Sequence, residues 1–206
     1  MAGTMPHAIF IETNADGAGG VAAYAAELPG CAVFAASDEE AANAMPRRAE
    51  AFCAWLREAG EDAPGYLGDN WYEVERAVAG DGDGALERAA FSLDELPPGD
   101  DEFAAWLRWL ELAREELAAA VDGAGDGLDE DLIGRLADQD LRLAGSVGGG
   151  PRAVEGDAID RLYAARDALT DALEAARPAA EGVRRALRLA IADDLRAAQQ
   201  LRAAAG

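Results

Sequence analysis

The sequence predicts an α+β fold, with a small antiparallel β-sheet and one packed helix first and an all-α four-helix bundle after it. Three observations predict it. Short alternating segments broken by glycine turns lead into a capped helix, which is the pattern of a half-buried sheet packed on a helix. A stretch rich in Gly, Asp and Pro then interrupts the chain from Gly80 to Asp101. Beyond it, four long segments carry apolar residues at helical spacing. The expected organisation is a first domain over 1–80, a linker over 81–100 and a helical domain over 101–206. At roughly 100 to 200 residues per domain, a chain of 206 residues accommodates two small ones.

In the first domain, Ala8 to Glu12 and Val21 to Ala26 read as the arms of a hairpin, joined by the glycine-bearing turn Asn14 to Gly20. The run Leu28-Pro29-Gly30-Cys31 then forms a tight corner, because Pro29 presets its backbone angle and Gly30 accepts angles that other residues resist. A helix follows. Ser37 is its expected N-cap, with Glu40 three residues on completing a capping box. Its buried face should run through Ala41, Met45, Ala49, Phe52, Trp55 and Leu56, and Gly60 should end it. Trp71 to Val78 reads as a further strand closing on the turn signals of Gly80 to Gly84.

In the second domain, the first amphipathic segment carries Phe103, Trp106, Leu107, Leu110, Leu117 and Val121. The second carries Leu132, Ile133, Leu136, Leu143 and Val147, and the third Ile159, Leu162, Tyr163, Leu169 and Leu173. The last runs through Val183, Leu187, Ile191, Leu195 and Leu201. Breaks at Gly123 to Gly127, Gly148 to Pro151 and Pro178 separate helices of roughly 18 to 26 residues, lengths suited to a bundle.

Composition narrows the function classes. Apolar residues make up 50% of the chain but aromatics only 6%, so alanine and leucine must fill the core. Forty acids oppose 18 bases, all of them arginine, for a net charge of -22. Such a surface repels phosphate backbones, and no basic cluster extends beyond pairs such as Arg47-Arg48, so direct nucleic-acid binding is disfavoured. It would steer a basic partner towards the chain. No segment reads as a membrane span or a leader, and a cytoplasmic protein is expected. The two cysteines, Cys31 and Cys53, have neither disulfide-framework nor metal-ligand spacing and read as small buried hydrophobes.

The hairpin, the corner Leu28 to Cys31 and the acidic helix start Ser37-Asp38-Glu39-Glu40-Ala41 together resemble the HicB-like antitoxin domain over roughly residues 7–78. That resemblance implies a small sheet on one helix, whose surface in true antitoxins binds a small basic ribonuclease toxin. The binding residues it points to are Leu28, Pro29, Gly30 and Cys31, with Tyr24 and Phe34 on the adjoining strands. Turn geometry and core packing account for the same residues. Full-length antitoxins usually add a basic DNA-binding element, and none stands here.

The helical half is similar to the DinB-like bundle family over roughly 101–204, through Ile133-Gly134-Arg135-Leu136-Ala137-Asp138-Gln139-Asp140 and the last helix. Metal-binding members of that family hold a divalent ion with three histidines. Here Arg135 occupies the second-helix position, Ala192 and Arg196 fall on the last-helix pair, and the chain's one histidine, His7, lies in the first strand. Guanidinium and methyl groups cannot replace imidazole as ligands, so the resemblance implies a degenerate site with no metal and no cofactor. A carboxylate site from Asp138, Asp140, Asp193 and Asp194 is imaginable, but with 40 acids coincidental clusters are expected.

No catalytic constellation emerges. The three serines and two cysteines have no base beside them, and the glycine runs Gly17 to Gly20 and Gly148 to Gly150 lack the lysine of a phosphate loop. The expected function is a non-enzymatic protein-interaction or regulatory module, antitoxin-related, with a protein partner that could be small and basic and with homodimer contacts as a further role for the bundle. Two alternatives stay open. One is a metal-dependent DinB-like transferase or hydrolase, the other a metal-free ligand-binding bundle with a pocket lined by Tyr163, Trp106 and Trp109.

Overall fold

A computed structural model describes residues 6–64, 67–68, 70–82, 85–150, 152, 154–176 and 182–206. Gly84, Pro151 and Pro178, read above as parts of chain breaks, lie outside the described residues. The chain is α+β and divides into two compact units, Met1–Leu93 and Asp94–Gly206. Among the described residues no helix is long and apolar enough to cross a membrane.

In the first unit, β1 (His7–Thr13) and β2 (Val21–Ala25) form the expected hairpin, with Phe10 opposite Tyr24 and Glu12 opposite Ala22. The corner turns the chain into β3 (Ala32–Ala35), antiparallel to β2. Helix α1 (Asp38–Glu58) follows, and β4 (Trp71–Val78) completes a sheet of order β3-β2-β1-β4. The sheet is mixed, which corrects the antiparallel expectation, because β4 runs parallel to β1. The cause is the connection: the chain crosses through α1 before returning, and a crossover of a dozen or more residues is what parallel neighbours require. A bulge interrupts the pairing, since Ile9 faces Glu73 but the next residue, Phe10, faces Glu75, leaving Val74 as the extra residue.

Ser37 caps α1, its hydroxyl accepting the Glu40 N–H at 3.2 Å. The Glu40 carboxylate reaches back to the Ala36 N–H at 3.4 Å, one residue before the position that a capping box would use. Ala41, Met45, Ala49, Phe52, Cys53 and Leu56 form the buried face, whereas Trp55 is only half-buried. Gly60 follows the helix end with φ 87°. Helix α1 packs on β2 and β3.

The stretch expected as a linker is shared between the units. Two short strands, β5 (Gly80–Gly82) and β6 (Ala85–Glu87), pair as a hairpin, and Arg88, Ala89 and Phe91 are buried within the first unit. In the second unit, Asp94 receives a two-pronged ion pair from Arg188, at 3.2 Å through Nε and 2.6 Å through Nη2.

Helices α2 (Asp100–Ala124), α3 (Glu130–Ser146), α4 (Ala158–Ala176) and α5 (Val183–Ala205) make up the second unit. Helix α2 packs on α5, α3 on α4, and α5 also on α3. Leu117, Val121, Ile133, Leu136, Leu162 and Leu201, drawn from all four, form one apolar core cluster. Phe103, Leu107, Leu132 and Ile159 are less buried than their spacing predicts. Gly149 closes the α3 end tightly, for a Cβ there would stand 2.7 Å from the Ala144 carbonyl oxygen and 3.0 Å from the Ala172 Cβ.

Candidate functional site

The residues expected to bind a partner lie mostly in the interior. Tyr24, Leu28, Pro29, Gly30 and Cys31 are buried, and Phe34 is half-buried. The corner closes on its own backbone, with the Cys31 N–H donating to the Leu28 carbonyl at 2.9 Å and the Ala25 N–H to the Cys31 carbonyl at 3.1 Å. Gly30 supplies the φ of 89° that this closure needs. Burial pushes the Cys31 thiol up to about 12, overriding the nearby Arg48 charge, so it is no nucleophile at neutral pH.

The sheet face carrying Phe10, Glu12, Tyr24 and Phe34 is covered by the chain's own segment 88–91. Glu12 is fully buried and accepts from the Tyr24 hydroxyl at 2.7 Å, from Arg88 Nη2 at 3.0 Å and Nε at 3.1 Å, and from the Ala89 N–H at 2.5 Å. Arg88 Nη2 also donates to the Tyr24 hydroxyl, and its guanidinium lies 5.7 Å from the Phe34 ring centre. Phe91 stacks on Phe10 at 4.8 Å. Each charge in this latch has partners, as a buried ion pair requires. Glu12 could have been noticed as an acid two residues from Phe10, on the same face of an apolar strand. Arg88 offered no such signal.

In the helical unit, Arg135 is exposed, Ala192 is buried and Arg196 is half-buried. None of them belongs to the polar cluster that the four helices build. That cluster brings together Arg114 of α2, Asp140 of α3, Arg166 and Thr170 of α4 and Asp194 of α5. Arg166 Nη2 meets Asp194 at 2.5 Å, and its Nε lies 3.8 Å from Asp140. Arg114 donates to the Thr170 hydroxyl at 2.5 Å and to the Arg166 carbonyl at 3.3 Å. Asp140, Arg166 and Asp194 are each about 5% exposed or less.

Burial, and then the Asp194 charge, push the Asp140 carboxyl up to about 7, against the opposing pull of Arg114 and Arg166. Asp194 is raised too, chiefly by burial. Of the imagined carboxylate quartet, then, two members converge, with a guanidinium between them where a cation would have to sit. Asp138 is exposed and paired with Arg161 at 2.8 Å, and Asp193 is half-buried. Among the described residues no group of three or more His, Cys, Asp or Glu is placed to hold a metal ion. No family model matches the chain. Comparison with curated proteins and with solved structures found no match either.

The three residues expected to line a pocket, Tyr163, Trp106 and Trp109, differ in burial. Tyr163 is 46% exposed, while Trp106 and Trp109 are interior, with Arg184 stacked 4.5 Å over Trp106. A cavity of about 510 Å³ lies against Val147 to Gly150 and Arg152, with Ala168, Asp171, Ala172, Ala175 and Ala176 of α4.

On the surface, the most exposed apolar residues gather on one strand. Of the five large hydrophobics that stand well exposed among the described residues, Tyr72, Val74 and Val78 belong to β4, at 48%, 52% and 69%. This strand borders the sheet and among the described residues pairs with β1 alone.

Proposed function

We propose that the chain is a non-enzymatic protein-interaction or regulatory module, antitoxin-related in its HicB-like first half, with a DinB-like bundle that has lost its metal ligands. The observation that carries this reading is the concentration of exposed apolar side chains on the bordering strand β4 of an otherwise acidic protein, because a sheet edge that carries apolar side chains is a template for a further chain. Its partner would be a protein, small and basic, drawn by the net charge of -22. The corner Leu28 to Cys31 serves this function by setting the sheet's geometry from within. Glu12 is engaged with Arg88 and Tyr24, and Asp194 with Arg166.

The test is affinity purification of the tagged chain, expressed at native level in its own host and treated with nuclease. A stoichiometric small basic protein in the eluate is the expected outcome, and recovery of the chain alone would overturn the reading. The metal-dependent alternative rests on the DinB-like resemblance, since the Arg166 guanidinium stands between Asp140 and Asp194. Stoichiometric divalent metal in the purified chain, lost on replacing either acid, would favour it.

A further inference from the structure

We propose that the outer edge of β4 is the docking line for an extended, arginine- or lysine-bearing segment of a partner protein, which joins the sheet as a fifth strand. The proposal rests on the interaction-module reading and adds to it the place, the conformation and the charge of what is bound.

Three observations converge on this edge. The first is backbone geometry. Strand β4 runs for eight residues and bonds to β1 on one side, and among the described residues no strand pairs with its other side, so a row of backbone donors and acceptors is offered to a further strand. The opposite border strand, β3, has only four residues. The second is the side chains. Tyr72, Val74 and Val78 are exposed along the same strand, and an added strand would cover part of each.

The third is charge. Strand β4 carries Glu73 and Glu75, with Asp38 from the first turn of α1 beside it, against one base, Arg76. That base is paired at 2.7 Å with both Glu73 and Asp38, and Glu75 accepts from the Ser92 N–H at 2.9 Å and hydroxyl at 2.5 Å, so three acids stand against one base and the edge stays acidic. The Glu73 side chain reaches Arg76 because the bulge at Val74 returns both to the same side of the sheet. Charges and bulges on an edge guard against pairing with another copy of the chain, which would set acid against acid. They do not guard against a strand of opposite charge, and so the edge selects its occupant by sign.

The experiment titrates the isotopically labelled full chain with a capped decapeptide of alternating valine and arginine, and separately with one of alternating valine and glutamate. The arginine peptide should shift and protect from exchange the amides of Trp71–Val78, and the glutamate peptide should bind at least tenfold more weakly. The double variant Val74→Lys, Val78→Lys should reverse that preference while leaving the amide spectrum of the other elements unchanged. Should that variant unfold, Tyr72→Ser with Val78→Ser should weaken the arginine peptide without reversing the order. Equal binding of the two peptides, shifts centred on other elements, or self-association of the chain through β4 would each overturn the proposal. The affinity purification separates this failure from that of the broader reading. A basic partner retained equally by the wild type and the lysine variant would uphold the module and overturn the β4 line, whereas loss of the partner with the variant supports both.

Discussion

Asp140 and Asp194 share one polar cluster of the helical unit with Arg114 and Arg166, and the stability of that arrangement depends on pH. Folded Asp140 keeps its proton up to about 7, whereas the ordinary value is 3.8. Between these values the folded chain binds more protons than the unfolded one, so the contribution of Asp140 is fully present below 3.8 and is lost as pH rises to about 7. Chemical denaturation from pH 4 to 8 should show this decline, and Asp140→Asn should flatten it. Arg166→Met should cost more at every pH above that window, about 3–5 kcal/mol, because it leaves Asp194 buried without its cation. In the first unit, Arg88→Ala should cost a similar ~3–5 kcal/mol by stranding Glu12, while Tyr24→Phe should cost about 1.5–3 kcal/mol, one hydrogen bond to a charged group. Part of this was legible in the sequence. Arg166 lies four residues after Leu162 and three before Leu169, squarely on the apolar face of its helix, and Asp140 and Asp194 were visible as acids that could converge. That Arg88 would meet Glu12, 76 positions away, was not, since local spacing carries no information about distant partners.

At the scale of elements, local chemistry proved most readable where it acts within a few residues. Ser37, the Gly30 corner and the hairpin from β1 to β2 follow from turn and cap preferences alone. Ser37→Ala should therefore destabilise the first unit by about 1 kcal/mol, measured by thermal or denaturant unfolding. Gly149→Ala should be more damaging than its half-buried position suggests, because the added methyl meets the Ala144 carbonyl oxygen. What alternation could not reveal is direction. Trp71 to Val78 reads as a strand whichever way it pairs, and the parallel register with β1 emerges only once α1 is recognised as a crossover. The bulge at Val74 was hidden for the same reason, as an extra residue shows itself only against a partner. Segment 88–91 read as part of a linker because Gly, Asp and Pro surround it, yet Phe91 anchors it to Phe10.

Over the whole molecule, 40 acids against 18 bases imply a folded state that repels itself. Its melting temperature should rise as salt increases from about 0.01 M to about 1 M, where the screening length falls from roughly 30 Å to roughly 3 Å. A chain stabilised chiefly by specific surface ion pairs would show the opposite. Both thiols should resist a thiol-specific reagent until denaturant is added, since burial raises the pKa of Cys31 and Cys53 alike.

The parallel pairing of β1 with β4 also bears on the order in which the protein can be made. Strand β1 gains its first neighbour from the adjacent hairpin, but its second arrives only when residues 71–78 have been synthesised. Until then a nascent chain holds the buried apolar run Ile9 to Ile11 with one unprotected border. Closing so distant a pair is slow compared with forming a hairpin. A chain ending at residue 64 would keep β1 to β3 and α1 but freeze that vulnerable stage. Such a truncation should self-associate at concentrations where the full chain stays dispersed, and light scattering on freshly released protein would reveal it.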